Sequence, residues 1–298
     1  MIEDAKRNSE KLLIVGCGDL GRRLAAHLPT PSYAVDGVRR HPPENDPRIH
    51  YRAVDTSDRA AMRNVLQDDY DVVVVTMTPS ERTDAGYHRA YVQTCEHLIE
   101  GLCEHAKTPR LILYVSSTGV YQQNDSEWID ERSVTGSGEN SGRVQHLLNA
   151  ESVIANSGFA HCIVRFSGIY GPGRDRFVER VRRGRATLSG RYTNRVHSED
   201  CAGILAHLIE RQRQGKALDT LYLASDCEPA PMAEVVNWLS QQLKVDKARF
   251  APEEGGLGKR CDNRRLLGTG YRFAYPDYRA GYTALLSPNG QDASAEKS

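Results

Sequence analysis

The sequence has no charge imbalance and no long apolar run, and both absences narrow what the protein can do. Its 298 residues contain 39 Lys and Arg against 39 Asp and Glu, so the formal net charge is zero. A chain without excess positive charge has no general attraction for nucleic acid or for an anionic membrane surface. No stretch approaches the roughly 20 apolar residues that a membrane-spanning helix requires. We therefore predict neither a nucleic-acid partner nor a membrane partner.

Cysteine and histidine are present but are not grouped as a metal site or a disulfide framework requires. The seven cysteines are scattered, with no C-x-x-C pair. Most lie inside apolar segments, where a thiol behaves as a small hydrophobic group. The first eleven residues, MIEDAKRNSEK, are polar and lack the apolar core of a signal peptide. These features predict a reduced, metal-free, cytoplasmic protein.

The most informative stretch is KLLIVGCGDLGRRLAAHL, residues 11–28. An apolar run of strand length precedes a G-x-G-x-x-G turn, and leucines then recur at helical spacing. In such a turn the first glycine permits the tight bend and the second lets backbone approach a pyrophosphate. The third lets the helix pack on the strand, and the first N–H groups of the helix face the phosphates. We prefer this interpretation to an ordinary glycine-rich turn. The predicted cofactor-binding residues here are Gly16, Gly18, Asp19, Leu20 and Gly21.

A second predicted strand, 33–38, ends at Arg39 and Arg40, about 20 residues beyond the glycines, where a dinucleotide-binding fold selects its cofactor. An acidic residue there would bind a ribose 2′-hydroxyl, whereas arginines would bind a 2′-phosphate. We therefore predict NADP as the cofactor, with NAD less favoured; the alternative is a solvated basic turn. A third strand, 49–54, ends at Asp55, which we also assign to the cofactor site.

Strand and helix patterns alternate six times before the pattern changes near residue 169. The continuous β-branched run DVVVVTM, residues 71–77, is typical of a parallel strand buried on both faces. This alternation predicts an α/β fold with a doubly wound parallel sheet, a Rossmann fold. We expect the dinucleotide-binding domain to span 1–168, with a strand returning near 220–224. We expect a smaller C-terminal α/β substrate lobe over 169–286, a surface excursion at 122–142 and a disordered tail at 287–298.

Four stretches together resemble the extended short-chain dehydrogenase/reductase family, the NAD(P)-dependent epimerase/dehydratase group. They are GCGDLG at 16–21, VSSTGVY at 115–121, VRFSGIYGPG at 164–173 and RVHSEDCA at 195–202. The resemblance covers nearly the whole chain. It implies a nucleotide-binding domain, a substrate lobe, hydride transfer at a nicotinamide and, by analogy, a homodimer. The family pattern G-x-x-G-x-x-G would place its first glycine at Val15, so the resemblance is to an atypical subgroup.

The family also implies an active site. A Ser or Thr at the end of the fifth strand hydrogen-bonds the substrate oxygen; Ser117 matches this position and Thr118 is the second choice. The alternative is a strand-end hydroxyl bonded to backbone. The family's general acid–base pair is a Tyr followed four residues later by a Lys. Those positions hold Arg143 and Leu147 here, no lysine occurs between Lys107 and Lys216, and no tyrosine is followed by lysine at that spacing.

Other residues could replace the missing pair. Tyr91 falls where the family's long helix carries an active-site Asn, and Tyr121 lies just beyond Ser117; packing roles are the alternative for both. Arg143 could act on an anionic substrate, and Arg195 resembles a family phosphate contact. The catalytic candidates are therefore Ser117, Tyr91 and Tyr121, and the substrate-binding candidates are Thr118, Arg143 and Arg195.

Two functional hypotheses follow. The first is an NADP-dependent oxidoreductase or epimerase acting on a carbonyl or hydroxyl of a small, anionic or sugar-nucleotide-like substrate. The second is a catalytically silent NADP(H)-binding sensor. The missing Tyr–Lys pair favours the sensor, whereas Ser117 and a complete substrate lobe favour the enzyme.

Overall fold

A computed structural model describes residues 9–43, 46–136 and 142–287. The predicted tail, 287–298, lies outside the described residues except for Ser287. The helices are α1 (Asp19–His27), α2 (Arg59–Val65), α3 (Asp84–Tyr87), α4 (Thr94–Glu104), α5 (Gly142–Ala155), α6 (Arg176–Arg182), α7 (Ser198–Arg213), α8 (Met232–Gln242), α9 (Arg264–Leu267) and α10 (Tyr278–Leu286). A π-helical segment spans His88–Gln93, and 3-10 turns span Thr118–Val120 and Lys247–Arg249.

The strands in chain order are β1 (Glu10–Val15), β2 (Tyr33–Arg39), β3 (Ile49–Ala53), β4 (Val72–Val75), β5 (Leu111–Ser117), β6 (Asp125–Ile129), β7 (His161–Phe166), β8 (Gly168–Tyr170), β9 (Thr187–Ser189), β10 (Tyr192–Thr193), β11 (Arg195–His197), β12 (Leu221–Ala224), β13 (Ala230–Pro231), β14 (Ala251–Glu253) and β15 (Gly258–Cys261). Among the described residues, no helix combines the length and the apolar character that crossing a membrane requires.

Seven strands form the central parallel sheet, in the order β3-β2-β1-β4-β5-β7-β12. The predicted doubly wound Rossmann fold is therefore confirmed. The chain winds outward from β1 in one direction through β2 and β3, and in the other through β4, β5 and β7. In such a sheet, ligands bind at the carboxyl ends of the strands where the order reverses, which here is between β1 and β4.

The middle of the sheet forms because its strands are apolar on both faces. Residues 12–15 of β1 and 72–75 of β4 are completely buried, and they pair in register from Leu12 with Val72 to Val15 with Val75. Branched side chains suit a pleated surface that is covered on both sides. The rigid centre of the sheet therefore lies directly beneath the predicted cofactor turn.

The chain divides, in its described residues, into two compact units. Unit 1 comprises Met1–Val120, Gly136–Arg165 and Ala202–Tyr222, and unit 2 comprises Tyr121–Thr135, Phe166–Cys201 and Leu223–Ser298. Compared with the bounds expected from sequence, unit 1 also takes in most of α7, and unit 2 takes in the segment 121–135. These assignments follow tertiary packing, which the order of the chain does not show.

Unit 2 contains a four-stranded sheet of order β13-β10-β15-β6. Strand β6 lies within 122–142, the segment that we expected to be a surface excursion; four of its five residues are exposed or partly exposed, but the strand itself was not predicted. Its partner, β15, comes from about 130 residues later, with Trp128 opposite Arg260. A polar segment of this kind becomes a strand only because a distant partner strand forms hydrogen bonds with its backbone N–H and C=O groups.

The helical segment from Asp84 to Glu104 is not a continuous α-helix. Helix α3 passes into the π-helical segment and then into α4 without leaving the helical path. Single π-helical turns inside α-helices widen the backbone locally and are frequent at functional sites. Tyr91, one of the catalytic candidates, lies within this segment.

Candidate active site

The glycine-rich turn begins where β1 ends. Each of its three positions favours glycine for a different structural reason. Gly16 has a φ of +78°, and a Cβ there would lie 2.5 Å from Met77 Sδ. At Gly21 a Cβ would lie 2.9 Å from Ile14 Cγ2, so this glycine lets α1 pack on β1. A Cβ at Gly18 would meet only the Gly16 carbonyl oxygen, at 3.8 Å. The space beside Gly18 is therefore open, as the approach of a pyrophosphate requires.

Helix α1 starts at Asp19 and is preceded by Gly18, which has no side chain to cap the first N–H groups. These N–H groups and the positive end of the helix dipole lie beside the open space at Gly18. The turn also lies at the carboxyl end of β1, next to the point where the strand order reverses. The residues present thus fit the diphosphate of a dinucleotide.

Of the two arginines predicted to select the cofactor, Arg39 is the last residue of β2 and Arg40 follows it. Arg39 Nη1 donates to the Cys17 carbonyl oxygen at 3.5 Å, which places its guanidinium beside the turn. Asp55 accepts from the Ser57 hydroxyl at 2.7 Å and from its backbone N–H at 3.0 Å. The Ser57 hydroxyl is the main cause that lowers the pKa of Asp55, and attraction from Arg40 adds to it. Arg39, Arg40 and Asp55 therefore cluster at the carboxyl edge of the sheet.

Ser117 is the last residue of β5, on the same edge of the sheet. Its Oγ accepts a hydrogen bond from the Gly119 N–H at 3.1 Å. The hydrogen bond to backbone that we gave as the alternative role of Ser117 is thus present. In it the oxygen is the acceptor, so the hydroxyl hydrogen is still able to donate. Thr118 is buried in the following 3-10 turn.

Tyr91 and Arg143 form a pair that sequence reasoning had not anticipated, since it considered each residue separately. Burial raises the pKa of Tyr91 above its usual value, and the nearby Arg143 guanidinium offsets this rise only in part. Helix α5, which begins with Gly142 and Arg143, packs against both the π-helical segment and the end of β5. Leu147, at the family's lysine position, is buried. Unit 1 therefore supplies a permanent cation to a phenol although the lysine is missing.

The other two candidates belong to unit 2. Tyr121 is buried, and Lys259 Nζ donates to its carbonyl oxygen and lies 6.0 Å from the centre of its ring. Burial lowers the pKa of Lys259. These residues stand 138 positions apart, so no local motif could have revealed the contact.

Arg195 is buried in unit 2, with its guanidinium 5.9 Å from the centre of the Phe177 ring and 5.8 Å from that of Tyr278. Its charge also acts on Tyr282, where it lowers the phenol pKa that burial raises. The Asp226 carboxyl is a further neighbour; its burial raises its pKa to about 8, against the attraction of Arg195. Sequence reasoning missed Asp226 because nothing in the local pattern shows that it is buried.

The fold and the glycine-rich turn define a dinucleotide-binding protein of the Rossmann class. A family model described as NAD(P)H-binding matches residues 16–212. A solved structure from Methylobacillus flagellatus, assigned to the NAD-dependent epimerase/dehydratases, is 31% identical; the match covers 93% of this chain and 97% of that one, with a TM-score of 0.79. The chain belongs to the NAD(P)-dependent epimerase/dehydratase family, which confirms the predicted membership, and carries an NAD(P)-binding domain.

More distant structures share the fold. A human epimerase family protein, SDR39U1, solved with NADPH, is 18% identical over 91% of this chain and 97% of that one, with a TM-score of 0.71. UDP-glucose 4-epimerase from Thermotoga maritima, solved with UDP-glucose, is 14% identical over 91% and 96%, with a TM-score of 0.73. No curated protein sequence matches this chain.

Proposed function

We propose that this protein is an NADP-dependent oxidoreductase or epimerase that acts at a carbonyl or hydroxyl carbon of a small, anionic, sugar-nucleotide-like substrate. One observation carries the proposal: in unit 1 an ionisable phenol, Tyr91, lies against a permanent cation, Arg143. The cation partly offsets the burial that raises the pKa of this phenol, which makes the pair a candidate replacement for the Tyr–Lys pair of the family. The anionic substrate class is supported by Arg143, whose side chain is exposed at the start of α5.

Three residues of unit 1 have separate roles in this proposal: Ser117, Tyr91 and Arg143. A bound nicotinamide would supply or accept the hydride. Ser117 donates its hydroxyl hydrogen to the substrate oxygen, and Tyr91 gives that oxygen a proton on reduction or removes one on oxidation. Arg143 cannot accept a proton, but its charge stabilises the phenolate that Tyr91 becomes.

The preference for NADP is supported by Arg39 and Arg40, since planar guanidinium groups bind phosphate through paired hydrogen bonds. We expect Arg39→Ala with Arg40→Ala to weaken NADP binding about 10- to 100-fold and to leave NAD binding nearly unchanged. Fluorescence titration with NADPH and NADH measures both affinities. Arg48→Ala is a matched control, because Arg48 bonds Asp46 on the same connection. An unchanged ratio of the two affinities in the double variant would exclude the assignment.

Turnover tests the catalytic roles. NADPH oxidation would be followed over a panel of carbonyl compounds that includes oxidised nucleotide sugars. We expect Tyr91→Phe to lower kcat at least about 100-fold, as the loss of a general acid does, and Ser117→Ala to lower it less. Tyr87→Phe is the control, because Tyr87 stacks on Tyr91 with ring centres 6.1 Å apart. Full activity in Tyr91→Phe would remove Tyr91 from the mechanism.

A catalytically silent NADP(H) sensor is the second candidate, favoured by the buried Leu147 at the family's lysine position. Tight NADPH binding without turnover on any compound of the panel would support it. Turnover that is lost in Tyr91→Phe and retained in Tyr87→Phe would support the enzyme.

A further inference from the structure

Asp84, the first residue of α3, lies against the start of α5. Its Oδ1 is 2.9 Å from His146 Nε2. A Cβ added at Gly142, the first residue of α5, would overlap the same oxygen. The carboxylate therefore touches both ends of the first turn of α5, at the positive end of the helix dipole.

His146 is held on two sides. Its side chain is 13% exposed, and its ring meets that of His88 edge-on, with centroids 5.4 Å apart. Its Nδ1 is buried and has no hydrogen-bond partner among the described residues. The bond to Asp84 is accordingly the polar contact that orients this ring.

The position of Arg143 follows from these contacts. It stands between Gly142 and His146 on α5, whereas Tyr91 lies two helical turns beyond Asp84 on the facing segment. A contact that ties Asp84 to the first turn of α5 therefore also sets the separation of Tyr91 and Arg143. The titratable and charged groups along this contact are Asp84, Tyr87, His88, Tyr91, Arg143 and His146.

We propose that Asp84 and His146 are positioning residues that hold the first turn of α5 so that the Arg143 guanidinium stays close to the Tyr91 phenol. The inference rests on the proposed function, because it assigns what maintains the pair that would perform the chemistry. Asp84 is 77% exposed, so its bond adds little to global stability. Removal of the contact should thus leave the fold intact and alter Tyr91.

The test is the ionisation of Tyr91, which needs no substrate. The full chain is labelled with 3-fluorotyrosine, whose fluorine brings phenol ionisation into a milder pH range, and followed by ¹⁹F NMR. Tyr91→Phe assigns the signal. We expect Arg143→Met to raise the Tyr91 midpoint by about one pH unit or more, because the cation no longer stabilises the phenolate.

His146→Phe should raise the midpoint in the same direction by about half as much. Asp84→Asn should raise it by less, because it also removes a negative charge that disfavours the phenolate, and Asp84→Glu should restore the contact in part. Gly142→Ala should act like Asp84→Asn, because its methyl group displaces the carboxylate. Glu81→Gln is the matched control: its exposed carboxylate lies just before α3 and bonds Arg89 instead. Combining Asp84→Asn with Arg143→Met should add nothing to Arg143→Met alone.

The outcomes separate the two proposals. If Asp84→Asn and Gly142→Ala leave the midpoint unchanged while Arg143→Met raises it, the positioning inference is overturned and the Tyr91–Arg143 pair stands. If Arg143→Met itself has no effect, the pair on which the proposed function depends is overturned. Circular dichroism and NADPH affinity of each variant confirm that the fold and the cofactor site are retained.

Discussion

Two buried acids, Glu151 in unit 1 and Asp226 in unit 2, are held in opposite ways. In unit 1, Glu151 and Arg165 are each only 7% exposed. Glu151 Oε1 accepts from Arg165 Nε at 3.0 Å and from the Ser116 hydroxyl at 2.5 Å, and its Oε2 accepts from Arg165 Nη2 at 2.5 Å. Both carboxylate oxygens are therefore hydrogen-bonded, and one donor group carries the opposite charge.

In unit 2, Asp226 is 1% exposed and has far fewer partners. Its Oδ1 accepts from the Glu228 N–H at 3.3 Å, and its Oδ2 has no hydrogen-bond partner among the described residues. Arg195 is close enough to attract it, but its guanidinium lies on aromatic rings. Burial consequently dominates and raises the pKa of Asp226 to about 8.

Asp200, also in unit 2, is intermediate. Its carboxylate accepts from the Tyr271 hydroxyl at 2.9 Å and from the N–H groups of Ala274 and Tyr275 at 2.8 and 2.9 Å. Burial still raises the pKa of Asp200, while these three donors lower it. The comparison shows that donors directed at a buried acid, rather than burial alone, determine how readily it ionises.

The largest expected effect is in unit 1. Glu151→Gln leaves the Arg165 charge buried without its counter-ion, and we expect a loss of about 3 kcal/mol in the free energy of unfolding. Urea denaturation measures it. Because replacing both partners by apolar groups avoids an unpaired charge, Glu151→Met with Arg165→Met should recover most of the loss. A loss below about 1 kcal/mol in Glu151→Gln would show that the pair is not needed.

A pH-dependent effect is expected in unit 2. The ordinary pKa of Asp is near 4, so between about pH 4 and pH 8 the folded chain keeps a proton that the unfolded chain has lost. Stability therefore falls as pH rises through this window. Asn cannot ionise, so the stability of Asp226→Asn relative to the parent chain should increase by on the order of 2 kcal/mol from about pH 5 to pH 8.

Urea denaturation at both pH values measures this difference. Glu228→Gln is the control, since its carboxylate is partly exposed and pairs with Arg279. If Asp226→Asn differed from the parent chain equally at both pH values, Asp226 would not be a buried proton acceptor.

The smallest effect is expected at an exposed pair. Arg59 Nε lies 2.8 Å from Glu100 Oε2, with side chains 61% and 46% exposed. Arg59→Ala should cost less than about 1 kcal/mol, because solvent and salt screen such a pair. The cost should shrink further when salt is added to the urea denaturation. If Arg59→Ala lowered the free energy of unfolding as much as Glu151→Gln does, the comparison would fail, because burial of an ion pair would then have no effect on its contribution to stability.

The residues that we assign to the cofactor site could be selected from the sequence because their signals are local. The turn at Gly16, Gly18 and Gly21 follows directly on β1, and Arg39 ends β2. Strand order in a parallel sheet brings such strand ends to one edge, so adjacent positions in sequence suffice. The proximity of Tyr91 and Arg143 could not be predicted in the same way. Tyr91 and Arg143 come from different helices, and no spacing rule connects them.

The sequence by itself determined the Rossmann sheet and the glycine-rich turn, because periodicity and backbone conformation act over a few residues. Only the tertiary structure decided that the Arg143 side chain lies near the Tyr91 phenol, that β6 pairs with β15, and that Asp226 is buried beside Arg195. Hydrogen bonding, burial and charge depend on groups that are distant in sequence, and the chain brings them together only when it folds.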